Sequence, residues 1–140
     1  MKRILALILS IALLLSSPLC AAEGYPLTVY DQAGRAVTID EKPARLVSGY
    51  YISTSLLIAL GLEDQLVGIE AKAAKRPIYR LSAPELIDLP SVGSAKEFDL
   101  EGCAALEPDL VILPMKLKNA AETLTGLGID VLLASLGQNS

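Results

Sequence analysis

The side chains able to do chemistry in this chain are few and grouped. Lys72, Lys75, Arg76 and Arg80 fall close together, Lys96 follows, and Lys116 and Lys118 come later; Tyr50 and Tyr51 are adjacent; Asp99, Glu101, Glu107 and Asp109 form a short acidic series. Cations and phenols of this kind can hold an anion, and paired carboxylates can serve as acid and base in glycoside hydrolysis. Histidine is absent, which removes Ser-His and Cys-His nucleophilic pairs, imidazole bases and imidazole-dependent zinc sites. Cys20 and Cys103 form no Cys-x-x-Cys, so a thiolate cage or a dithiol redox centre is excluded. The 140 residues carry a formal charge of −4, with 4% aromatics and no Trp. No nucleic-acid partner is expected from such a composition.

These groups need elements to position them. Leu27-Thr28-Val29-Tyr30 and Ala36-Val37-Thr38-Ile39 flank Asp31-Gln32-Ala33-Gly34 and read as a β-hairpin, ended by Pro43. Short apolar strands then alternate with helices. The strands are Leu46-Val47-Ser48, Leu66-Val67-Gly68-Ile69, Leu110-Val111-Ile112-Leu113 and the run from Ile129 to Leu133. A helix is expected from about Ser53 to Leu60, stopped by Gly61, and another from Asp99 through Leu106 to Pro108, with Asp99 as its cap. A third carries Leu117, Ala120, Ala121, Leu124 and Leu127 on one face and stops at Gly128. Lys72 to Pro90 reads as a long loop with one helical turn around Ala83 to Leu89. The alternation predicts an α/β fold, a Rossmann-like, mostly parallel sheet with helices on both faces, preceded by the hairpin.

In such a sheet the loops after the strands emerge at one edge, where ligands bind. Tyr50, Tyr51, Lys72, Lys75, Arg76, Arg80, Lys96, Lys116 and Lys118 all fall in those loops. Two readings of the seven cations stand side by side: solvated loop charges, or an anion-binding rim. The acidic series has a plainer reading than catalysis, with Asp99 capping, Glu101 in a first helical turn and Asp109 opening a strand. Gly126-Leu127-Gly128 ends a helix where a dinucleotide motif would open one.

The first residues read as a secretory (Sec) signal peptide over 1–22. Lys2 and Arg3 precede an apolar run from Ile4 to Leu15, and Cys20-Ala21-Ala22 offers small residues for cleavage before Glu23. Twelve helical residues reach about 18 Å against a hydrocarbon core of roughly 30 Å, too short to span. The rival reading is a lipoprotein acylated at Cys20, against which the bulk of Leu19 stands. Cys103, the one remaining thiol, is expected to be a small buried hydrophobe.

Arg45-Leu46-Val47-Ser48, Leu57-Ile58-Ala59-Leu60-Gly61 and Leu66-Val67-Gly68-Ile69 come first in an ordered series. Leu89-Pro90-Ser91-Val92-Gly93, Phe98-Asp99-Leu100-Glu101, Leu106-Glu107-Pro108-Asp109-Leu110-Val111-Ile112 and Leu127-Gly128-Ile129-Asp130-Val131 continue it. The series, over about residues 27 to 134, resembles the periplasmic solute-binding proteins of iron-siderophore, haem and cobalamin ABC importers. The resemblance implies a two-lobed binding protein with ligand held between lobes joined by a long helix. It also implies that Glu101 docks on an arginine of the membrane permease.

On that resemblance, residues 23–44 form the hairpin segment, 45–134 the N-terminal lobe and 135–140 a disordered tail, the chain stopping about where the linking helix would begin. A truncated gene or a fragment is the expected explanation. The expected function is capture of a small-molecule metal chelate outside the cytoplasmic membrane for an ABC permease, by a monomer with no catalytic activity and no resident cofactor or metal. The ligand-binding residues expected are Tyr50, Tyr51, Lys72, Lys75, Arg76, Lys96 and Lys116. Their charge favours an Fe(III)-siderophore of catecholate or carboxylate type over haem or cobalamin. The alternative is a freestanding exported α/β scaffold or enzyme.

Overall fold

A computed structural model describes residues 24–135; the segment expected to be a signal peptide, its expected cleavage site, Cys20 and residues 136–140 lie outside the described residues. Strands β1 (Leu27–Tyr30) and β2 (Ala36–Ile39) pair antiparallel, Leu27 opposite Ile39 and Tyr30 opposite Ala36. Their turn is built by Asp31, whose Oδ1 accepts the amides of Ala33 and Arg35, both at 2.9 Å, while Gly34 takes φ +74. An Asx-type closure with a left-handed glycine is what the Asp…Gly pattern provides.

Four further strands form one parallel sheet: β3 (Leu46–Ser48), β4 (Leu66–Ile69), β5 (Leu110–Pro114) and β6 (Asp130–Ala134), in the order β4-β3-β5-β6. Its helices are α1 (Tyr51–Ala59), α2 (Pro77–Ser82), α3 (Leu100–Ala105) and α4 (Lys118–Gly126). They divide the core into two layers. Leu57, Tyr79, Ala83 and Leu86 pack with Leu46, Leu66 and Ile69, whereas Cys103, Ala121 and Leu124 pack with Val47, Val111, Leu113, Val131 and Leu133. Alternate strand residues therefore serve opposite faces, the period of two that a sheet covered on both sides requires.

Three local expectations change. The first helix begins at Tyr51 rather than Ser53. Lys72 to Pro90 is largely ordered: a 3-10 turn at Ala73–Lys75, helix α2 opened by Pro77, and a second 3-10 turn at Pro84–Asp88. Proline at the start of α2 and of the second 3-10 turn costs no hydrogen bond there, and Tyr79, Ala83 and Leu86 of this segment are buried. Leu127 does not join the buried face of α4; it follows the helix and is 61% exposed. Asp99 caps α3 as expected, accepting the Gly102 amide at 2.8 Å, and Cys103 is buried.

The hairpin is tied to the sheet's last strand. The Gln32 amide donates to the Leu133 carbonyl at 3.1 Å, Asp31 Oδ2 accepts the Leu133 amide at 3.2 Å, and Arg35 Nη2 donates to the Val131 carbonyl at 2.7 Å. These bonds occupy backbone groups on the edge strand that would otherwise lie open. Ser135, expected to begin a disordered tail, donates its amide to Gln32 Oε1. Among the described residues, no helix is long and apolar enough to cross a membrane.

Candidate functional site

Strand β3 has β4 on one side and β5 on the other, so the chain reverses its direction of travel across the sheet at this point. The loops after β3 and β5 diverge there, and a crevice opens between them at the carboxyl ends of the strands. A cavity of about 1000 Å³ lies in it. Each strand contributes to its wall: Gly49 to Tyr51 after β3, Glu70 to Lys72 after β4, Pro114 to Lys116 around the end of β5, and Ala134 at the end of β6, with Gln32 reaching in from the hairpin turn.

Backbone geometry decides which side chains arrive. Gly49 donates its amide to the Ile112 carbonyl at 2.9 Å, and a Cβ there would sit 2.6 Å from Leu113 Cδ2. A larger residue would have to displace the Leu113 side chain, so glycine eases the close passage beside β5. Lys72 takes φ 69, an uncommon conformation for a lysine, directly after the Ala71 amide donates to the Gly93 carbonyl at 2.7 Å. This turn ends the run along β4 and places Lys72 on the cavity wall. Arg76 lays its guanidinium over the Tyr51 ring, 4.2 Å from the centroid, and Tyr50 meets Tyr51 edge-on at 5.5 Å. Stacking holds a cation in place while leaving it charged for a ligand.

The structure thus gathers Tyr50, Tyr51, Lys72, Arg76 and Lys116 around one cavity. Lys75 and Lys96, expected beside them, are exposed and line no part of it, and neither do Arg80 and Lys118. Lys75 belongs to the tight 3-10 turn between Lys72 and Arg76, and Arg80 turns back to donate twice to the Ala74 carbonyl, at 3.0 and 2.7 Å. Glu101 is exposed in the first turn of α3. Asp99 caps α3, and Asp109 Oδ2 accepts the amides of Ala44 and Arg45 at 2.8 Å each. Among the described residues, no three of His, Cys, Asp and Glu gather in a metal-holding group.

Two residues of the site were missed. Gln32 belongs to a hairpin that, in sequence, looks separate from the sheet. Glu70, 5% exposed, sits on the cavity wall with a wholly hydroxylic set of donors: Tyr79 Oη at 2.6 Å on Oε1 and Thr54 Oγ1 at 2.7 Å on Oε2. Thr54 is itself 2.8 Å from Ser48 Oγ, which donates to the Tyr50 carbonyl at 3.0 Å. Burial, reinforced by the neighbouring Glu70 carboxylate, pushes the Tyr79 phenol well above its usual range, so it remains a donor. The available signal was position alone: Glu70 is the first residue past a strand end in a fold that binds ligands at strand ends.

Residues 46–139 match a protein family described as periplasmic binding protein. The chain belongs to that family. It is 28% identical over 108 residues to a cobalamin-binding protein of Halobacterium salinarum, covering 76% of this chain and 28% of that one. Among solved structures it is similar to the molybdate periplasmic binding protein MolA of Haemophilus influenzae, with 26% identity and a TM-score of 0.71 over 81% of this chain and 36% of that one. It is also similar to a periplasmic heme binding protein of Pseudomonas aeruginosa, with 31% identity and a TM-score of 0.56 over 67% of this chain and 32% of that one. The chain therefore spans about a third of the length of these proteins. The family read from the ordered motif series is the family found, and the parallel sheet with helices on both faces is its fold.

Proposed function

We propose that this chain is the N-terminal lobe of an exported solute receptor that captures an anionic metal chelate, a ferric siderophore of catecholate or carboxylate type, for an ABC permease. The observation that carries the reading is the cavity at the strand ends, which Lys72, Arg76 and Lys116 line together with the paired rings of Tyr50 and Tyr51. Three cations lining one cavity of an otherwise acidic chain favour a ligand with negative charge, and the two rings supply flat apolar area for an aromatic or macrocyclic ligand. Family membership supports a binding role over a freestanding scaffold or enzyme. Glu101 is exposed on the outer surface of α3, free to meet a permease arginine, and the exported location follows from the signal-like first residues. The names of the relatives keep cobalamin and haem as the competing ligands.

The test is a titration of the full chain with the ferric complex of 2,3-dihydroxybenzoate, followed by quenching of tyrosine fluorescence, at low and at high salt. Binding is expected to weaken at high salt, since these cations are open to solvent screening. Lys72→Ala with Lys116→Ala should weaken it about three- to tenfold, whereas Lys75→Ala with Lys96→Ala should leave it unchanged. Preference for neutral cyanocobalamin, independent of salt, would overturn the anionic reading.

A further inference from the structure

Tyr79 and Arg76 stand three residues apart at the start of α2, and they reach the same residue of α1 from two sides. The Tyr79 hydroxyl, donating to Glu70 Oε1 at 2.6 Å, also lies 3.1 Å from the Tyr51 carbonyl, and the Arg76 guanidinium covers the Tyr51 ring. Thr54, one turn further along α1, bonds the other Glu70 oxygen and lies 3.3 Å from the Tyr50 carbonyl. One side chain anchored at the end of β4 thus joins the first turns of two helices, at whose starts stand Tyr50, Tyr51 and Arg76 of the cavity wall. The Arg76 Nε is buried with no hydrogen-bond partner. The ring of Tyr51 is what fixes the guanidinium, so its place depends on where Tyr51 is held.

We propose that Glu70 is a positioning residue: through Tyr79 and Thr54 it clamps α1 against α2 and preforms the Tyr51–Arg76 stack that receives the ligand. This rests on the reading of the cavity as the ligand site. Its consequence for specificity is that the guanidinium is presented as a fixed plane rather than a mobile point charge. A bidentate oxygen acceptor, such as a catecholate or carboxylate edge, matches such a group. Preorganisation of this kind lowers the cost of ordering the site when ligand binds.

The clamp is separable from the charge. In Glu70→Gln the amide oxygen can accept from Tyr79 and the amide nitrogen can donate to Thr54 Oγ1, so the geometry survives without the carboxylate. Tyr79→Phe keeps the buried ring and removes one bond, Thr54→Val removes the other, and Glu70→Ala removes both. The first readout needs no ligand: the Arg76 Nε–H proton resonance in the full chain, which the ring current of Tyr51 moves upfield, with Tyr51→Leu as the unstacked reference. We expect Glu70→Ala to shift it most of the way to that reference, Tyr79→Phe and Thr54→Val part of the way, and Glu70→Gln hardly at all. The second readout is affinity for ferric 2,3-dihydroxybenzoate, expected to fall about fivefold for each bond lost and to be retained in Glu70→Gln. An unmoved resonance in folded Tyr79→Phe overturns the proposal, as does Glu70→Gln behaving like Glu70→Ala. If Glu70→Ala fails to fold, Tyr79→Phe and Thr54→Val still decide. If the chelate does not bind the unsubstituted chain, the function reading fails while the resonance still tests the clamp.

Discussion

Asp109 and Arg45 are joined at the start of their strands: Asp109 Oδ2 accepts the Arg45 amide at 2.8 Å and the Ala44 amide at 2.8 Å. Arg45 returns the connection, its Nη2 donating to the Leu106 carbonyl and its Nε to the Glu107 carbonyl, at 2.6 and 3.1 Å. The Arg-Leu-Val and Pro-Asp-Leu-Val segments of the motif series therefore staple β3 to β5 at the edge away from the cavity. Asp109→Ala should destabilise the fold by about 2 kcal/mol, because two amides lose a charged acceptor, with no change in ligand affinity. Asp109→Asn, which keeps an acceptor oxygen, should cost less. Urea unfolding of the two variants checks the order.

A second prediction concerns acid. Burial alone would raise the Asp31 carboxyl, but the Arg35 amide and guanidinium and the Leu133 amide outweigh it and hold the group below the usual carboxylate range. The folded value thus lies under the unfolded one. Its stabilisation is complete above about pH 4, the unfolded value, and is lost as pH falls through the lower folded value. Asp31→Asn should remove about 1 to 3 kcal/mol at neutral pH and flatten the acid limb of the stability profile. An acid limb as steep as that of the unsubstituted chain would show that other carboxylates govern it.

A third concerns Gly93, which takes φ +85 in the segment leading from β4 towards α3. A Cβ there would stand 2.1 Å from the Glu97 carbonyl oxygen. The obstacle is backbone, closed by the mutual bonds of Ser94 and Glu97 at 3.0 and 3.2 Å, so it has little room to yield. Gly93→Ala is expected to cost about 3 kcal/mol. Gly126→Ala, at a glycine whose Cβ would meet nothing within 4 Å, should stabilise α4 slightly. Thermal melts of the pair give the comparison.

Much of the scaffold was legible because its signals are local. Leu66 to Ile69 and Leu110 to Leu113 are unbroken apolar runs, and Gly61 and Gly128, with φ +68 and +84, stop helices where the chain needs a left-handed residue. Helix α2 was hidden because it is only six residues long: Tyr79, Ala83 and Leu86 do fall at i, i+4 and i+7, but the exposed Ile78 and Leu81 between them blur that period. The site divides in the same way. The loops that bear its charges follow from topology, but the separation of Lys72 from Lys75 depends on one positive φ at Lys72. Glu70 was invisible as a functional group because its two hydroxyl partners lie 9 and 16 positions away.

The bond from Leu133 to Asp31 spans 102 positions of sequence, and that distance governs the order of assembly. A hairpin of two four-residue strands is marginal in water when alone, and here its resting place is β6, the last strand of this sheet among the described residues. Nascent chain that has not yet reached β6 leaves the hairpin without a seat, and closure over so long a loop is slow. The hairpin and β6 are thus expected to be secured together and late. Pulse-labelled hydrogen exchange should therefore show the amides of Arg35 and Leu133 gaining protection at a common rate, after those of Val47 and Val111.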